Sequence, residues 1–202
     1  MHGLTVAEIE RAPGAQAFLH RLFTVREVPT FTIQNAPSVV DYVDLALRGG
    51  FPAVVGLSEV ARAAWLDGYR DELIYRDATE FGGIRAPERL SALLTAVAHN
   101  IAGSPTETSF ATAAGIDVRT ARTYLDLLEG LRIVERLPAW HSNRFTRLVK
   151  APKYHLTDTG LAAAVIGVDA TAVLRSGDLL GRLIESFVVA QLRPLLALAL
   201  HR

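Results

Sequence analysis

The side chains best suited to chemistry in this sequence are cations, and they occur in two stretches. The first stretch opens a predicted helix with two arginines and two threonines: Arg119, Thr120, Arg122 and Thr123. Apolar residues at helical spacing predict that the opposite face of this helix is buried: Ala121, Tyr124, Leu125 and Leu128. Guanidinium groups on an exposed helix face hydrogen-bond to guanine edges and phosphates in the major groove. This stretch therefore predicts double-stranded DNA as a ligand.

The second stretch, residues 136–153, holds five cations and no carboxylate: Arg136, Arg144, Arg147, Lys150 and Lys153. The whole chain has 21 Lys+Arg and 21 Asp+Glu, so this stretch is positive within a protein of zero net charge. Trp140, Asn143 and Phe145 lie between the cations, a composition that suits contacts to a nucleic-acid backbone. We expect Arg144, Arg147, Lys150 and Lys153 to contact phosphates, and the cations of both stretches to converge on one ridge.

The elements that would position these cations follow one another from about residue 107 onward. Residues 110–114 predict a short helix, Gly115 a turn, and Asp117 the N-cap of a helix over 118–128. Residues 133–137 and 153–156 are typical of short strands. The order is typical of a winged helix-turn-helix, with the helix-turn-helix at about 107–130 and the wing at about 138–153.

The rest of the chain predicts helices separated by loops. Thr5, Ser38 and Ser58 are predicted helix caps, and Gly49 is predicted to end the helix that Ser38 starts. The helix after Ser58 has an apolar stripe that predicts its buried face: Val60, Ala64, Trp65, Tyr69, Leu73 and Ile74. Further helices are predicted at 87–101, 161–166 and 179–192, the last ending before Pro194. The fold class is mainly α: a helical bundle plus a winged helix-turn-helix with a small β-hairpin.

The sequence lacks the residues that several classes of functional site require. There is no cysteine, and there is no Gly-x-x-x-x-Gly-Lys-Ser/Thr sequence to hold a nucleotide phosphate. The six histidines lack the spacing of a helical zinc site. We therefore expect no catalytic residue, no cofactor and no metal. The start of the chain lacks the pattern of a secretory signal, and no apolar run reaches the roughly 20 residues of a membrane span. A cytoplasmic, non-enzymatic protein is expected.

Glu185 is the one carboxylate that lies among apolar residues of a predicted helix. A carboxylate beside a buried stripe needs a cation, either an arginine or a metal. We expect an arginine partner, Arg182 or Arg193, on the same helix.

An ordered set of short motifs runs through the chain: Gly49-Gly50-Phe51-Pro52, Tyr69, Arg76-Asp77, the run 124–129, Lys150-Ala151-Pro152-Lys153, Asp158-Thr159-Gly160-Leu161, and Gly181 with Glu185-Ser186-Phe187-Val188. This set, over about residues 40–193, resembles the C-terminal domain-of-unknown-function family of bacterial and archaeal AAA-type ATPases. The resemblance implies a parent with a P-loop ATPase, a central winged helix and a restriction-endonuclease-like domain. The P-loop and the later strands with the nuclease ligands are missing from this sequence, so neither activity is expected of this chain.

The resemblance also implies a division of the chain. Residues 1–57 would correspond to the tail of the ATPase domain. Residues 58–160 would form a helical region with the winged helix, and residues 161–202 the truncated start of the nuclease-like domain. The apolar tail at 195–200 would then be exposed or buried in a homo-oligomer.

Two functions remain open on this basis. The first is a DNA-binding winged-helix module, a fragment or truncated relative of such an ATPase. The second is a protein–protein interaction or oligomerisation module, in which the winged helix docks on its ATPase domain or on another acidic partner without contacting DNA.

Overall fold

Helices make up most of the chain, and two short strands pair as an antiparallel sheet. The computed structural model describes residues 3–11, 36–78, 80, 84, 86–140, 142 and 150–200. In chain order the elements are α1 (Val6–Ile9), α2 (Val39–Arg48), α3 (Glu59–Glu72), a π-helical turn (Leu73–Asp77), α4 (Pro87–His99), α5 (Glu107–Ala114), α6 (Val118–Gly130), β1 (Val134–Leu137), β2 (Lys153–Leu156), α7 (Thr159–Ile166), α8 (Ala170–Arg175) and α9 (Gly177–Leu200). The predicted fold class, mainly α with a small β-hairpin, is confirmed.

Side-chain caps start the first three helices, as predicted. The Thr5 hydroxyl accepts a hydrogen bond from the Glu8 N–H at 3.2 Å, and the Glu8 carboxylate accepts one from the Thr5 N–H at 2.8 Å. Ser38 and Asp41 form the same reciprocal capping box at the start of α2. The Ser58 hydroxyl caps α3. Each cap satisfies an N–H that the first turn of a helix leaves unpaired.

The segment from α5 to β2 has the predicted order of helix, turn, helix and two strands. Thr106 caps α5, one turn earlier than the predicted start of that helix. Gly115 ends α5 in the left-handed conformation, with φ 64° and ψ 36°, which glycine adopts without steric cost. In the sheet, Val134 lies opposite Leu156 and Leu137 lies opposite Lys153. Most of the predicted wing, with Arg144 and Arg147, lies outside the described residues.

The larger of two hydrophobic clusters lies where α4, α5, α6 and the two strands meet. Its fully buried side chains include Leu90, Leu94 and Phe110. The predicted stripe of α6 belongs to it as expected: Ala121, Tyr124, Leu125 and Leu128. Phe110 meets Tyr154 edge to face with ring centroids 4.9 Å apart, a geometry that adds to the free energy of burial. This packing determines which face of α6 points outward.

A smaller hydrophobic cluster joins α2, α8 and α9 through Val43, Val173 and Phe187. Helix α7 belongs to the larger cluster through Leu161, Ala162 and Val165, and it packs against α2, α3, α4 and α9. Its N-cap, Asp158, is buried and accepts hydrogen bonds from the N–H groups of Leu161 at 2.9 Å and Gly50 at 2.6 Å. Burial raises the pKa of the Asp158 carboxyl, while these N–H donors act in the opposite direction.

The backbone is closely packed around the Asp158 carboxylate. A Cβ on Gly160 would lie 2.8 Å from the Leu47 carbonyl oxygen, and one on Gly50 would lie 2.5 Å from the Leu4 carbonyl oxygen. Gly49 itself has φ 69°, and a Cβ there would lie 2.4 Å from Asp158 Oδ1. The end of α2 and the start of α7 therefore meet at a distance that only glycine permits.

The predicted buried face of α3 is wrong at its N-terminal end. Val60 is 82% exposed and Ala64 is exposed, and Leu66 is the one residue of α3 that is buried. Trp65 and Tyr69 are half-buried: they stack on each other, meet Phe51 at tilted angles and pack against the edge of the larger cluster. Residues 59–61, in the first turn of α3, are exposed, so the side chain of Val60 faces outward.

The last helix is longer than predicted. Helix α9 continues through Pro194 to Leu200 instead of ending before the proline. Proline removes a single backbone donor, and the flanking leucines and alanines are strong helix formers. Leu198 is 52% exposed, whereas residues 195–197 are half-buried. No helix in the described part of the chain combines the length and apolar character needed to cross a membrane.

Replacing Asp158 by alanine should lower the free energy of unfolding by about 2–4 kcal/mol, because α7 loses its cap and the Gly50 N–H loses its buried acceptor. Urea denaturation measures this difference. Asp169→Ala is the matched control, since Asp169 caps α8 in the same way but is exposed. The control should cost about 1 kcal/mol. Equal losses in the two variants would contradict the bridging role of Asp158.

Candidate nucleic-acid interface

The N-terminus of α6 is organised by Asp117. Its carboxylate accepts hydrogen bonds from the Thr120 N–H at 2.9 Å and from the Thr120 hydroxyl at 2.5 Å. These two bonds hold the pKa of Asp117 below its usual range. Thr120 is half-buried, and its hydroxyl group donates its hydrogen bond to the N-cap residue Asp117. The prediction that Thr120 is fully exposed on this face of α6 is therefore wrong, and its role in DNA binding stays a prediction.

Three other predicted residues of α6 point outward. Arg119, Arg122 and Thr123 are exposed, and their spacing of three and four positions puts them on one face of the helix. The guanidinium group of Arg119 forms no hydrogen bond or ion pair with any described residue. The Thr123 hydroxyl donates to the Arg119 carbonyl oxygen at 3.1 Å. The outward face of α6 thus begins with two guanidinium groups one turn apart.

Arg122 is already paired. Its Nε and Nη2 donate to Glu107 Oε2 at 2.9 and 2.7 Å, and Glu107 lies in the first turn of α5. The Arg122 side chain remains 65% exposed, and its contact with Glu107 raises the pKa of Arg122. This ion pair joins the two helices of the helix-turn-helix at their outer surface.

The basic stretch at 136–153 is divided between the two faces of the β-hairpin. Arg136 lies on the face towards α6, where it pairs with Asp126 and, at 3.3 Å, with Glu129. Lys153 lies on the opposite face and pairs with Glu185 of α9. The expectation that the cations converge on one ridge is wrong for this pair. Lys153 lies opposite Leu137, the residue after Arg136, and successive residues of a strand point to opposite faces. Lys150 is exposed and has no ion pair with a described residue.

The face of the hairpin that carries Lys153 is held against α9 by polar contacts. Besides the pair of Lys153 with Glu185, Glu135 pairs with Arg193, and His155 Nδ1 lies 2.9 Å from the Ser186 hydroxyl oxygen. We call these three contacts the hairpin–α9 seam. They correct the predicted partner of Glu185: Arg193 pairs across the seam, and Arg182 pairs with Asp178. The pairing depends on where β2 lies in three dimensions, which helical spacing does not reveal.

His155 is the titratable group at the centre of the seam. It is 1% exposed, and no described group hydrogen-bonds its Nε2. Burial lowers the pKa of His155, an effect that the Glu185 carboxylate opposes and that Lys153 and Arg193 reinforce. The sequence shows His155 within an apolar strand pattern, which indicates burial but not the serine that it contacts.

A second surface feature is an open groove of about 1030 Å³ between α2 and α3, with α7 as its floor. Its walls carry charged side chains, among them Asp44, Arg48, Glu59 and Arg62, above the small residues Gly160, Ala163 and Ala164. Among the described residues, no cluster of three or more histidines and carboxylates is arranged to hold a metal ion.

The chain belongs to a protein family described as a domain of unknown function, DUF8612, which matches residues 39–172, from α2 into α8. It is similar to two curated mycobacterial proteins, the uncharacterized protein Mb2031c of Mycobacterium bovis and the uncharacterized protein Rv2008c of Mycobacterium tuberculosis. Each is 34% identical over 155 residues, which is 76% of this chain and 35% of the relative. The chain thus spans about a third of the length of these relatives. No solved structure matches it.

Acidification should destabilise the chain through His155. Because burial lowers the pKa of this histidine, the unfolded chain takes up the proton more readily, and stability is lost as pH falls below about 6.5. The slope contributed by one histidine is at most about 1.4 kcal/mol per pH unit. Urea denaturation between about pH 5 and 7.5 measures it.

His155→Gln should flatten this pH dependence. His99→Gln, at an exposed position in the last turn of α4, is the control and should leave the slope unchanged. If His155→Gln and the parent chain lose stability in parallel on acidification, the titration belongs to another group.

Proposed function

We propose that this chain is a DNA-binding module of the winged-helix type. The observation that carries the proposal is the outward face of α6, where Arg119, Arg122 and Thr123 follow directly after a left-handed turn at Gly115. Residues at the start of the second helix of a helix-turn-helix are those that reach base edges in the major groove. The opposite face of α6 is in the core, so only this face is available to a ligand.

In this proposal, phosphate contacts come from Lys150 and from Arg144 and Arg147, which lie between the two strands in sequence. Lys150 is exposed. Lys153 pairs with Glu185 in the hairpin, so the proposed interface is limited to α6 and the segment between the strands. Such an interface binds DNA mainly through charge and is therefore sensitive to salt.

The motif set that resembles the AAA-type ATPases supports a place for this module within a larger ATP-binding protein. The length of the mycobacterial relatives is compatible with that arrangement. We propose that the chain contributes DNA contact and that it has no catalytic activity of its own. Its cellular compartment in this proposal is the cytoplasm, where bacterial DNA is found.

A second candidate function, protein–protein interaction without DNA contact, is favoured by the exposed apolar start of α3. Val60 is 82% exposed and lies in sequence between Glu59 and Arg62, which line the groove between α2 and α3. Val39 and Val40 of α2 are exposed as well. Apolar side chains that form a contiguous exposed patch mark contact surfaces. A second copy of the chain or the ATPase domain of the parent would then cover this surface.

Arg119→Ala should weaken binding to a duplex and reduce the salt slope, log K against log salt, by up to about 0.9, because one phosphate contact is lost. Fluorescence anisotropy with a labelled duplex across a salt series measures both quantities. Arg175→Ala removes an exposed arginine of α8 and is the matched control. A parent chain whose binding is weak and indifferent to salt would contradict DNA recognition by these cations.

Val60→Glu tests the second candidate. A charge placed in an apolar interface should weaken self-association by at least about tenfold. Sedimentation velocity over a concentration series measures the change. Leu174→Glu, which alters an exposed leucine of α8, should leave association unchanged. A parent chain that is monomeric at all concentrations excludes a second copy as the occupant of this surface.

A further inference from the structure

The ion pair between Glu107 and Arg122 lies within the surface proposed to meet DNA. Both guanidinium nitrogens that face α5 donate to one oxygen of the carboxylate, at 2.9 and 2.7 Å. The side chains remain accessible, at 65% exposure for Arg122 and 26% for Glu107. An anion from solution can therefore reach the same guanidinium edge.

The chemistry of this contact resembles that of a phosphate contact. An arginine presents its N–H groups as a planar fork that matches carboxylate and phosphate oxygens alike. In the free chain the fork of Arg122 is occupied by the chain's own anion. Its neighbour Arg119, one turn away, has no such partner among the described residues.

We infer that Glu107 competes with DNA for Arg122. The inference rests on the proposed DNA-binding function. The Glu107 carboxylate occupies the position of a DNA phosphate oxygen, and duplex binding exchanges one anion for the other. The exchange involves no covalent step: Arg122 stays protonated, Glu107 stays ionised, and the released carboxylate takes up a solvent cation.

Two consequences follow from this exchange. Binding is weaker than the number of exposed arginines predicts, because the ion pair must open. Binding is also less sensitive to salt, because the cation gained by Glu107 offsets one of the counterions that Arg122 releases from DNA. Glu107 thereby sets the affinity of the interface without contacting DNA.

The test compares Glu107→Gln with Glu72→Gln. Glu72 forms an exposed ion pair with Arg76 at the end of α3, so the control has the same residue types and the same change in net charge. Duplex binding is measured by fluorescence anisotropy between about 50 and 200 mM salt. Glu107→Gln should bind about two- to fivefold tighter than the parent, with a salt slope steeper by up to about 0.9. Glu72→Gln should show a smaller gain and the slope of the parent.

A double-mutant cycle distinguishes competition from a general charge effect. Arg122→Ala should bind more weakly than the parent, and adding Glu107→Gln to Arg122→Ala should give a gain no larger than that of Glu72→Gln. If Glu107→Gln gives the same gain with and without Arg122, or if its gain in the parent is no larger than that of Glu72→Gln, the competitor role is overturned while DNA binding stands. Absence of duplex binding by the parent and by Glu107→Gln alike rejects the DNA-binding function itself.

Discussion

The buried carboxylate of Asp158 connects two parts of the chain that are 108 positions apart in sequence. One oxygen caps α7, and the other accepts the N–H of Gly50 where α2 has ended. Helix α7 belongs to the larger hydrophobic cluster and packs against α2 and α9, whose side chains form the smaller one, so this pair of hydrogen bonds fixes the position of one cluster relative to the other. A buried carboxylate is costly unless its oxygens find donors, and here backbone N–H groups supply them. The direction in which α6 presents its arginines depends on this arrangement, because α6 packs in the larger cluster.

The two faces of the β-hairpin are held by different forces. One face packs Val134, Tyr154 and Leu156 into the larger cluster, and the other meets α9 through the hairpin–α9 seam. Apolar packing is tolerant of small shifts, whereas hydrogen bonds and ion pairs require particular directions. The hairpin is therefore positioned by the seam and stabilised by the core. In this division Lys153, which the sequence predicted as a phosphate contact, pairs with Glu185, and Arg136 of the same basic stretch pairs with Asp126 and Glu129.

Local signals in the sequence predicted local structure well. Caps at Thr5, Ser38 and Asp117, the left-handed turn at Gly115 and the buried stripe of α6 all follow from rules that span fewer than about eight residues. Relations between distant elements could not be predicted in this way. The partner of Glu185 is set by the position of β2, and the exposure of Val60 is set by which helices reach α3. For the candidate site, the sequence predicted which face of α6 points outward, but it did not reveal that the strand register places Arg136 and Lys153 on opposite faces of the hairpin.

The tight meeting of α2 and α7 has a consequence for how far such sequences can diverge. Side chains are sterically barred at Gly49, Gly50 and Gly160, where a Cβ would fall within 3 Å of neighbouring atoms. Gly56 and Gly130, by contrast, have open space around them. Members of the family should therefore keep glycine at positions 49, 50 and 160, whereas positions 56 and 130 should accept other residues. We expect glycine at those three positions, together with an aspartate that caps α7, in family members that have the same close contact between α2 and α7. This pattern should be present even in members that lack the arginines of α6.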